Sequence, residues 1–354
     1  MRGVVFTGNR TLEVTTFPDP APGPGQAVIR MKASGICGSD LHFYRAEDPI
    51  AQLAAQGFKL SRDRAKDTRI IAGHEPCGVI EEVAPDVDPA RFRKGDRVMV
   101  FHYEGCGVCD HCRSGWTQMC VEGAAPHGAV LHGGHADFMR VPVSTLVKLP
   151  DEVSFVGGAA IACGTGTAYG AICRLGVSAR DTLAVFGLGP VGLSVVRFAS
   201  AMGVPVIGID IDASRVEAAR RFGAAHAVNG KTDDPVEEVR KLTKEGVASL
   251  RSGLRRWRDR RGPGRSQHGA MGPYRPCRRW RQLQRDRLER HHQSQRTCIG
   301  SYTFSIVGMR RCAEFIASGV DIDLIFSDRW SITDAAQAYE KFDSQASGKG
   351  VFIF

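Results

Sequence analysis

The chain has 354 residues, which is long for one compact core and sufficient for two domains. Apolar residues make up 43% and charged residues 24%, a balance that excludes a wholly disordered or fibrous protein. The sequence contains no apolar run of about eighteen residues. It also shows no N-terminal secretory signal. We therefore expect no membrane span and a cytoplasmic location.

The net charge of +9 comes from one window of the chain. Residues 249–297 contain 15 Arg, no Lys and 3 acidic residues, whereas the rest of the chain carries 32 basic and 35 acidic residues. Because that remainder is mildly acidic, a basic nucleic-acid-binding surface spread over the whole protein is not indicated. The arginine-rich window needs a separate explanation.

Residues 1–150 are predicted to be mostly β-structure. Short runs rich in Val, Ile and Phe, at 27–31, 97–101 and 138–141, are separated by Gly, Pro and Asp, which favour turns. Residues 154–176 then predict helix and turn, with glycines that allow close packing.

Strands and helices alternate from residue 182 onwards. Apolar strands are predicted at 182–186, 205–209 and 227–228, and helices at 191–202, 214–222 and 234–244. Successive βα units predict a parallel sheet with right-handed crossovers. The pattern stops at 249–297, which contains no Val, Ile or Phe and therefore predicts no ordinary buried parallel strand. It resumes at Ile299, with a helix around 310–318 and an apolar strand at 350–354.

A glycine-rich motif joins the first of these strands to its helix. The motif comprises Gly187, Leu188, Gly189, Pro190, Val191 and Gly192. Asp210 follows 23 positions after Gly187, at the end of the next strand. In this context the motif predicts a dinucleotide site, because Gly187 permits the turn, Gly189 admits the pyrophosphate and Gly192 allows close packing.

The charge around this motif predicts which dinucleotide binds. The helix N-terminus offers N–H groups to the phosphates, and Asp210 is expected to accept hydrogen bonds from the ribose hydroxyls. Because Asp210 and the nearby Asp212 would repel a 2′-phosphate, NAD is favoured over NADP. We add Arg215 to the predicted cofactor-binding residues. A glycine turn with a purely structural role is the alternative.

Four cysteines lie within fifteen positions, at Cys106, Cys109, Cys112 and Cys120. This spacing is typical of a metal site and not of a disulfide framework in a cytoplasmic protein. Four thiolates can surround one zinc ion and leave no open position, which predicts a structural site that holds a loop. An iron–sulfur cluster and unligated thiols are the alternatives.

Three distant segments carry further candidate ligands. They are Cys37 in Gly-Ile-Cys-Gly-Ser-Asp-Leu-His, His74 and Glu75 in Gly-His-Glu-Pro-Cys-Gly, and Cys163 in Ala-Cys-Gly-Thr-Gly. Spacing alone does not join these segments, and a single Cys or His is often only packed in a core. His132 and His135 flank a glycine-rich turn, where surface or turn positions are expected.

Taken together, these strings, the four-cysteine segment and the glycine motif resemble the zinc-dependent medium-chain alcohol dehydrogenases. The resemblance runs in the same order over about residues 1–245 and again from about 298 onwards. It implies an α/β protein with a β-rich GroES-like catalytic domain, residues 1–164 plus 303–354. It also implies a doubly wound (Rossmann) NAD-binding domain, residues 165–302.

The resemblance implies two zinc ions per chain as well as NAD. Cys37, His74 and Cys163 are implied as ligands of a catalytic zinc, with Cys163 where polyol dehydrogenase-like members have Glu. Ser39 is implied to take the proton of the alcohol and pass it towards His42. Asp40 is implied to accept the ring N–H of His74.

Glu75 is implied to lie near the metal, with an ordinary buried ion pair as the alternative. The implied reaction is hydride transfer between NAD and a small alcohol or polyol, giving an aldehyde or ketone. A homodimer or homotetramer is the implied assembly.

The window 248–297 departs from this family, because relatives have sheet strands there. Its length matches the missing elements, and we interpret it as an out-of-frame translation between two compensating shifts in a GC-rich gene. A basic insertion that binds RNA or DNA is the competing interpretation. We favour it less, because an insertion would add to the sheet and not replace it. The alternative function is therefore a non-catalytic or inactive remnant, with segment 249–297 binding nucleic acid.

Overall fold

The computed structural model describes residues 1–49, 51–52, 69–243, 248–251, 299–344 and 348–354. Two main sheets organise these residues. One has seven strands that come from both ends of the sequence, and the other has four strands from its middle. The predicted fold class, a β-rich domain combined with a doubly wound nucleotide-binding domain, is confirmed.

The seven-stranded sheet is built around a long central strand, β3 (Gln26–Gly35). The two strands that precede β3 in the sequence, β1 (Arg2–Gly8) and β2 (Thr11–Thr16), form a separate antiparallel hairpin. The sheet contains β3 (Gln26–Gly35), β4 (Pro76–Val83), β5 (Arg97–Val100), β8 (Phe138–Pro142), β9 (Leu146–Lys148), β14 (Phe326–Trp330) and β15 (Lys349–Ile353). Because β15 pairs antiparallel with β3, with Val351 opposite Gly35, the end of the chain lies beside the segment that carries Cys37.

Further elements flank the segments that carry the candidate metal ligands. They are α1 (Asp40–Tyr44), β6 (Tyr103–Glu104), α2 (Asp110–Arg113), β7 (Ala125–Pro126), α3 (Phe155–Ile161) and α4 (Gly164–Leu175). β6 and β7 pair with each other, and α2 lies between them in sequence. Ser154 begins α3 by accepting a hydrogen bond from the backbone of Gly157, which satisfies one of the free N–H groups of the first turn.

The second sheet is parallel, as predicted. Its strands are β10 (Leu183–Phe186), β11 (Val206–Asp210), β12 (His226–Asn229) and β13 (Ala248–Arg251), in the spatial order β12-β11-β10-β13. The helices between them are α5 (Pro190–Ala201), α6 (Ala213–Arg221) and α7 (Pro235–Leu242). Asp212 and Asp234 cap α6 and α7 by accepting backbone N–H groups.

The expectation that residues 249–297 supply no parallel strand is wrong at the start of this window. Residues Ala248–Arg251 form β13 and pair with β10 in parallel register, Leu183 opposite Ala248 and Phe186 opposite Arg251. The pairing uses backbone groups, so a strand of four residues can occupy this place without β-branched side chains. Residues 252–298, which contain the rest of the window, lie outside the described residues.

The last helices are α8 (Ile306–Ala317) and α9 (Ala335–Asp343). One hydrophobic core spans both sheets: Met99 of β5, Ala160 of α3, Val185 of β10 and Met309 of α8 all belong to it. No single helix in the described parts of the chain is long and apolar enough to cross a membrane. The bent pair α3 and α4 together reach the necessary length and composition.

Candidate active site

Three distant segments converge on one cluster of metal-binding side chains. Cys37 follows β3, His74 and Glu75 precede β4, and Cys163 lies between α3 and α4. One ligand atom from each of these four residues lies within 4.8 Å of the others. The segments that spacing alone could not connect are therefore neighbours in the fold.

The donor set fits a zinc ion. Zn–S bonds of about 2.3 Å in tetrahedral geometry place two sulfur ligands about 3.8 Å apart. The Sγ atoms of Cys37 and Cys163 are 3.9 Å apart. Two thiols and one imidazole are the ligands zinc prefers, and three such ligands leave one position of a tetrahedron for a substrate oxygen. The arrangement is therefore suited to a catalytic zinc.

Asp40 fixes the orientation of two of these ligands. Its Oδ1 atom accepts the Nδ1–H of His74 at 2.8 Å, and its Oδ2 atom accepts the backbone N–H of Cys37 at 2.8 Å. The carboxylate is almost fully buried, with 1% of the residue exposed. Because Nδ1 carries the proton, Nε2 of His74 is left as the lone-pair donor that can bind a metal.

The two thiols differ in acidity. A hydrogen bond from Cys163 lowers the pKa of Cys37 well below its usual value, although burial opposes this. The same bond raises the pKa of Cys163, and burial adds to this effect. Burial lowers the pKa of His74, but the charges of Asp40 and Cys37 raise it overall. Cys37 is thus the thiol that ionises first, and the thiolate is the form that binds metal.

Glu75 fits both roles considered in the sequence analysis, a residue near the metal and a member of a buried ion pair. It belongs to the ligand cluster, and it also forms a buried ion pair with Lys349, whose Nζ lies 2.7 Å from the carboxylate. Lys349 Nζ also donates to the carbonyl of Ile36 at 3.1 Å. Burial raises the pKa of Glu75 to about 7, and the positive charge of Lys349 opposes that rise.

Ser39 and His42 lie on the outer side of the cluster. Ser39 Oγ is 3.1 Å from His74 Nε2, and Ser39 is half-buried at the start of α1. His42, three residues further on the same helix, is exposed to solvent. Their positions, from the ligand cluster to the surface, are compatible with the predicted proton path.

The four clustered cysteines form a second candidate metal site. One Sγ atom from each of Cys106, Cys109, Cys112 and Cys120 lies within 4.8 Å of the others. Backbone N–H groups point at the sulfurs: Cys106 N lies 3.3 Å from Cys120 Sγ, and Cys109 N lies 3.4 Å from Cys106 Sγ. No cysteine in the described ranges forms a disulfide. Four sulfurs leave no open position, so the set fits a structural zinc.

The glycine motif forms the turn between β10 and α5. Gly187 has φ +91°, a left-handed conformation that glycine adopts without strain. Leu188 donates its N–H to Asp210 Oδ2 at 2.7 Å, and Ile211 donates to Oδ1 at 2.7 Å. Asp210 thus holds the loop as well as facing the predicted ribose position. The Asp212 side chain caps α6 by accepting the backbone N–H groups of Ser214 and Arg215, and Arg215 lies in the first turn of that helix.

Family models match two stretches of the chain. Residues 23–151 match the alcohol dehydrogenase GroES-like domain, and residues 190–250 match the zinc-binding dehydrogenase domain. The chain is 34% identical, over an alignment of 374 residues, to an uncharacterized zinc-type alcohol dehydrogenase-like protein of Escherichia coli strain K12. That alignment covers 100% of this chain and 99% of the relative. The chain belongs to the zinc-type medium-chain alcohol dehydrogenases.

Other members of the alcohol dehydrogenase family agree over shorter stretches. An alcohol dehydrogenase of Geobacillus stearothermophilus is 34% identical over 238 residues, which is 67% of this chain and 66% of that protein. The structure of the alcohol dehydrogenase from Thermus sp. ATN1 matches with a TM-score of 0.76 at 24% identity. It covers 100% of this chain and 99% of that one, and so shows the shared fold.

The family match explains the ligand segments, but the sequence analysis missed two polar residues of this alcohol dehydrogenase. Lys349 was not singled out, and only the register of β15 against β3 brings it to Glu75. His102, two residues after β5, meets the ring of His74 edge-on with 5.1 Å between centroids, and it donates from Nδ1 to the Ala162 carbonyl. Burial lowers its pKa to about 3. The sequence carries no signal for either contact.

His135 corrects an expectation based on the sequence. A surface or turn position was expected, but the residue is fully buried, with 0% exposed, whereas its neighbour His132 is exposed. The His135 ring contacts Phe352 of β15 edge-on, with 4.7 Å between centroids. Gly73 leaves the space for this ring, because a Cβ atom there would lie 2.3 Å from His135 Nδ1.

Proposed function

We propose that this alcohol dehydrogenase uses zinc and NAD to oxidise a primary or secondary alcohol, or a polyol, reversibly to an aldehyde or ketone. The observation that carries the proposal is the convergence of Cys37, His74 and Cys163, with sulfur atoms at the separation that one zinc requires. The family membership supports the reaction class, and the donor chemistry supports the metal.

The residues around the cluster have distinct proposed roles. A zinc ion held there would supply a Lewis acid that lowers the pKa of a bound hydroxyl towards neutral pH. Ser39, beside His74 Nε2, takes the hydroxyl proton, and the exposed His42 passes it towards solvent. Asp40 holds the ring of His74 in the metal-binding tautomer. The ion pair with Lys349 holds the carboxylate of Glu75 beside the cluster.

The glycine turn is the proposed NAD site. The first turn of α5 presents free N–H groups to the pyrophosphate. Ile211 and Asp212 both donate to Asp210 Oδ1, and Leu188 donates to Oδ2, so Asp210 accepts the ribose hydroxyls with the remaining lone pair of Oδ2. An NADH-bound alcohol dehydrogenase of Escherichia coli CFT073 matches the fold with a TM-score of 0.78 at 20% identity. The carboxylate favours NAD over NADP.

The four-cysteine cluster is the proposed site of a second, structural zinc. The alternative function, a non-catalytic remnant that retains this zinc but not the active site, is not favoured by the family comparisons. The division into residues 1–164 plus 303–354 and 165–302, the cytoplasmic location and the homo-oligomeric state stay predictions of the sequence.

Zinc counting combined with a substrate panel tests the proposal. Because residues 248–297 are interpreted as an out-of-frame translation, the protein used has these codons in the restored reading frame. It is purified and analysed for bound zinc, and NADH formation is followed by absorbance with primary alcohols, secondary alcohols and polyols. We expect two zinc ions per chain and turnover of at least one substrate class. One zinc without turnover would support the remnant instead. Cys163→Ser is the matched variant, and it should lose one zinc and all turnover.

A further inference from the structure

A chain of buried hydrogen bonds lies behind the Asp40 carboxylate. Ser34 Oγ is 2.7 Å from His135 Nδ1, and His135 Nε2 is 2.9 Å from the Tyr339 hydroxyl. The Tyr339 hydroxyl lies near the Asp40 carboxylate, close enough for the two side chains to share a hydrogen bond. Ser34, His135 and Tyr339 are fully buried, with 0% of each residue exposed. We call these three residues the Asp40 support.

The chemistry of the groups fixes the direction of every proton in this chain. An ionised carboxylate can only accept, so the Tyr339 hydroxyl donates to Asp40. The Tyr339 oxygen then accepts from His135 Nε2–H. Because a neutral imidazole carries one proton, His135 Nδ1 accepts from the Ser34 hydroxyl. Each donor therefore points towards Asp40. Hydrogen bonds that are aligned in one direction polarise and strengthen one another.

The packing around the support leaves these side chains little freedom. A Cβ atom at Gly73, the residue before His74, would lie 2.3 Å from His135 Nδ1. Tyr339 is enclosed by Phe6 and Tyr44, with ring centroids at 5.1 Å and 5.3 Å. The support therefore touches the metal-ligand segment twice, once through Asp40 and once through the backbone of Gly73.

We propose that Ser34, His135 and Tyr339 are positioning residues, which hold Asp40 so that His74 and Cys37 keep their metal-binding geometry. None of the three contacts the ligand cluster directly. The Asp40 carboxylate accepts from both His74 and Cys37, so a rotation of this group would move two of the three ligands together. The proposal rests on the proposed catalytic zinc site.

Metal release from the cobalt-substituted protein tests this proposal. Both sites are loaded with Co²⁺, the visible absorption bands are recorded, and transfer of the metal to a chromogenic chelator is timed. Each site is expected to release its metal in its own kinetic phase, and the phase that is missing in Cys163→Ser belongs to the catalytic site. We expect Tyr339→Phe to accelerate this phase about tenfold, as loss of an outer-shell partner does in other metal sites, and to shift its absorption band. The four-cysteine phase should stay unchanged.

Tyr44→Phe is the matched control, because Tyr44 packs in the same aromatic cluster and its hydroxyl makes no hydrogen bond to Asp40 within the described residues. It should leave both phases unchanged. The effect should decrease along the chain, from Tyr339→Phe to His135→Met to Ser34→Ala. Ser34→Ala also serves as the mildest variant if a larger change prevents folding.

Two results would overturn the proposal. Equal acceleration by Tyr339→Phe and Tyr44→Phe would mean that the support acts only through packing. Unchanged release and an unchanged band in all three support variants would mean that Asp40 needs no support. An unmodified protein that binds metal only at the four cysteines would instead contradict the proposed function itself, before any support variant is compared.

Discussion

Lys349 and Glu75 form an ion pair with almost no contact to water, since 2% and 0% of these residues are exposed. The lysine comes from β15 and the glutamate from the segment before β4, so the pair joins residues 274 positions apart. Taking two charges out of water is costly, and such a pair is stable only while both partners are present. The pair therefore makes the candidate active site sensitive to the position of β15.

Removal of the lysine charge should destabilise the protein strongly. Lys349→Met leaves a buried carboxylate without its cation, and we expect a loss of about 3 kcal/mol, since Glu75 can relieve part of the cost by binding a proton. Denaturant unfolding measures the change. Adding Glu75→Gln should recover much of the loss. Lys148→Met, which breaks an exposed pair with Asp96, should cost below about 1 kcal/mol. Equal losses at the two lysines would contradict the prediction.

The buried His135 predicts a pH dependence of stability. Burial lowers its pKa from 6.5 to about 4, so on acidification the unfolded chain binds a proton here before the folded chain does. The contribution of His135 to the free energy of unfolding is therefore fully present above about pH 6.5 and is lost as the pH falls towards 4. We expect the free energy of unfolding to fall by up to about 1.4 kcal/mol per pH unit in this window. His135→Met should lack that part of the slope.

Unfolding curves at pH 7.5, 6, 5 and 4.5 give this comparison. His226→Met is the control, because His226 is exposed at the start of β12, so this change removes an imidazole from the surface and not from the interior. Parallel pH profiles for the unmodified protein and His135→Met would contradict the prediction.

The four-cysteine segment is an element that depends on its metal. Residues of the short elements around it are mostly exposed or half-buried, and α2 contains no buried residue. Gln118 connects the segment to the rest of the protein by donating to Thr303 Oγ1 at 2.9 Å and to the Phe304 carbonyl at 2.8 Å. A loop with so little core needs a cross-link to keep its shape.

Loss of one of these sulfurs should remove one zinc and destabilise the segment. For Cys112→Ser we expect the zinc content to fall from two to one per chain and the unfolding temperature to decrease. Elemental analysis and thermal unfolding measure both effects. Cys173→Ser changes an exposed cysteine outside both clusters and should leave both values unchanged. Unchanged zinc content in Cys112→Ser would contradict the proposed structural site.

Sequence patterns predicted the elements well where side-chain periodicity determines them. The strands β10, β11 and β12 and the helices between them appear within two residues of their predicted bounds. Helix α8 begins four residues earlier than predicted, because Ser305 caps it by accepting from the Gly308 N–H. β13 was missed, since its place in the sheet depends on backbone pairing with β10 and not on its own composition.

The candidate site was predictable only in part. The ligand segments were recognisable because metal ligation requires particular residue types in short, distinctive strings. Lys349, His102 and His135 act through contacts between distant strands, and each is a single ordinary residue in its local sequence. Such contacts depend on strand register, which a local pattern does not contain.

At the scale of the whole molecule, the arginine-rich window determines whether the fold is complete. The zinc-binding dehydrogenase match ends at residue 250, where this window begins. This boundary supports the interpretation that residues 248–297 are an out-of-frame translation. A domain that lacks its remaining buried strands loses much of its stabilisation, against a net stability of about 5–15 kcal/mol.

Sequencing of the gene tests this interpretation directly. We expect one of the other two reading frames across codons 248–297 to encode apolar runs with strand periodicity. We also expect that protein with the printed sequence, verified by intact mass, is unstable and shows no NAD turnover. A restored-frame protein should be stable and active. Turnover by the printed sequence, or no apolar pattern in either frame, would contradict the interpretation.

The buried pair of Glu75 and Lys349 also has a consequence during protein synthesis. A ribosome completes Cys37, His74 and Cys163 long before it adds Lys349, and the whole nucleotide-binding region is made in between. Until β15 emerges and docks on β3, the nascent chain holds both thiols and an uncompensated acid in an unfinished pocket. Maturation of the active site is thereby coupled to the synthesis of β15.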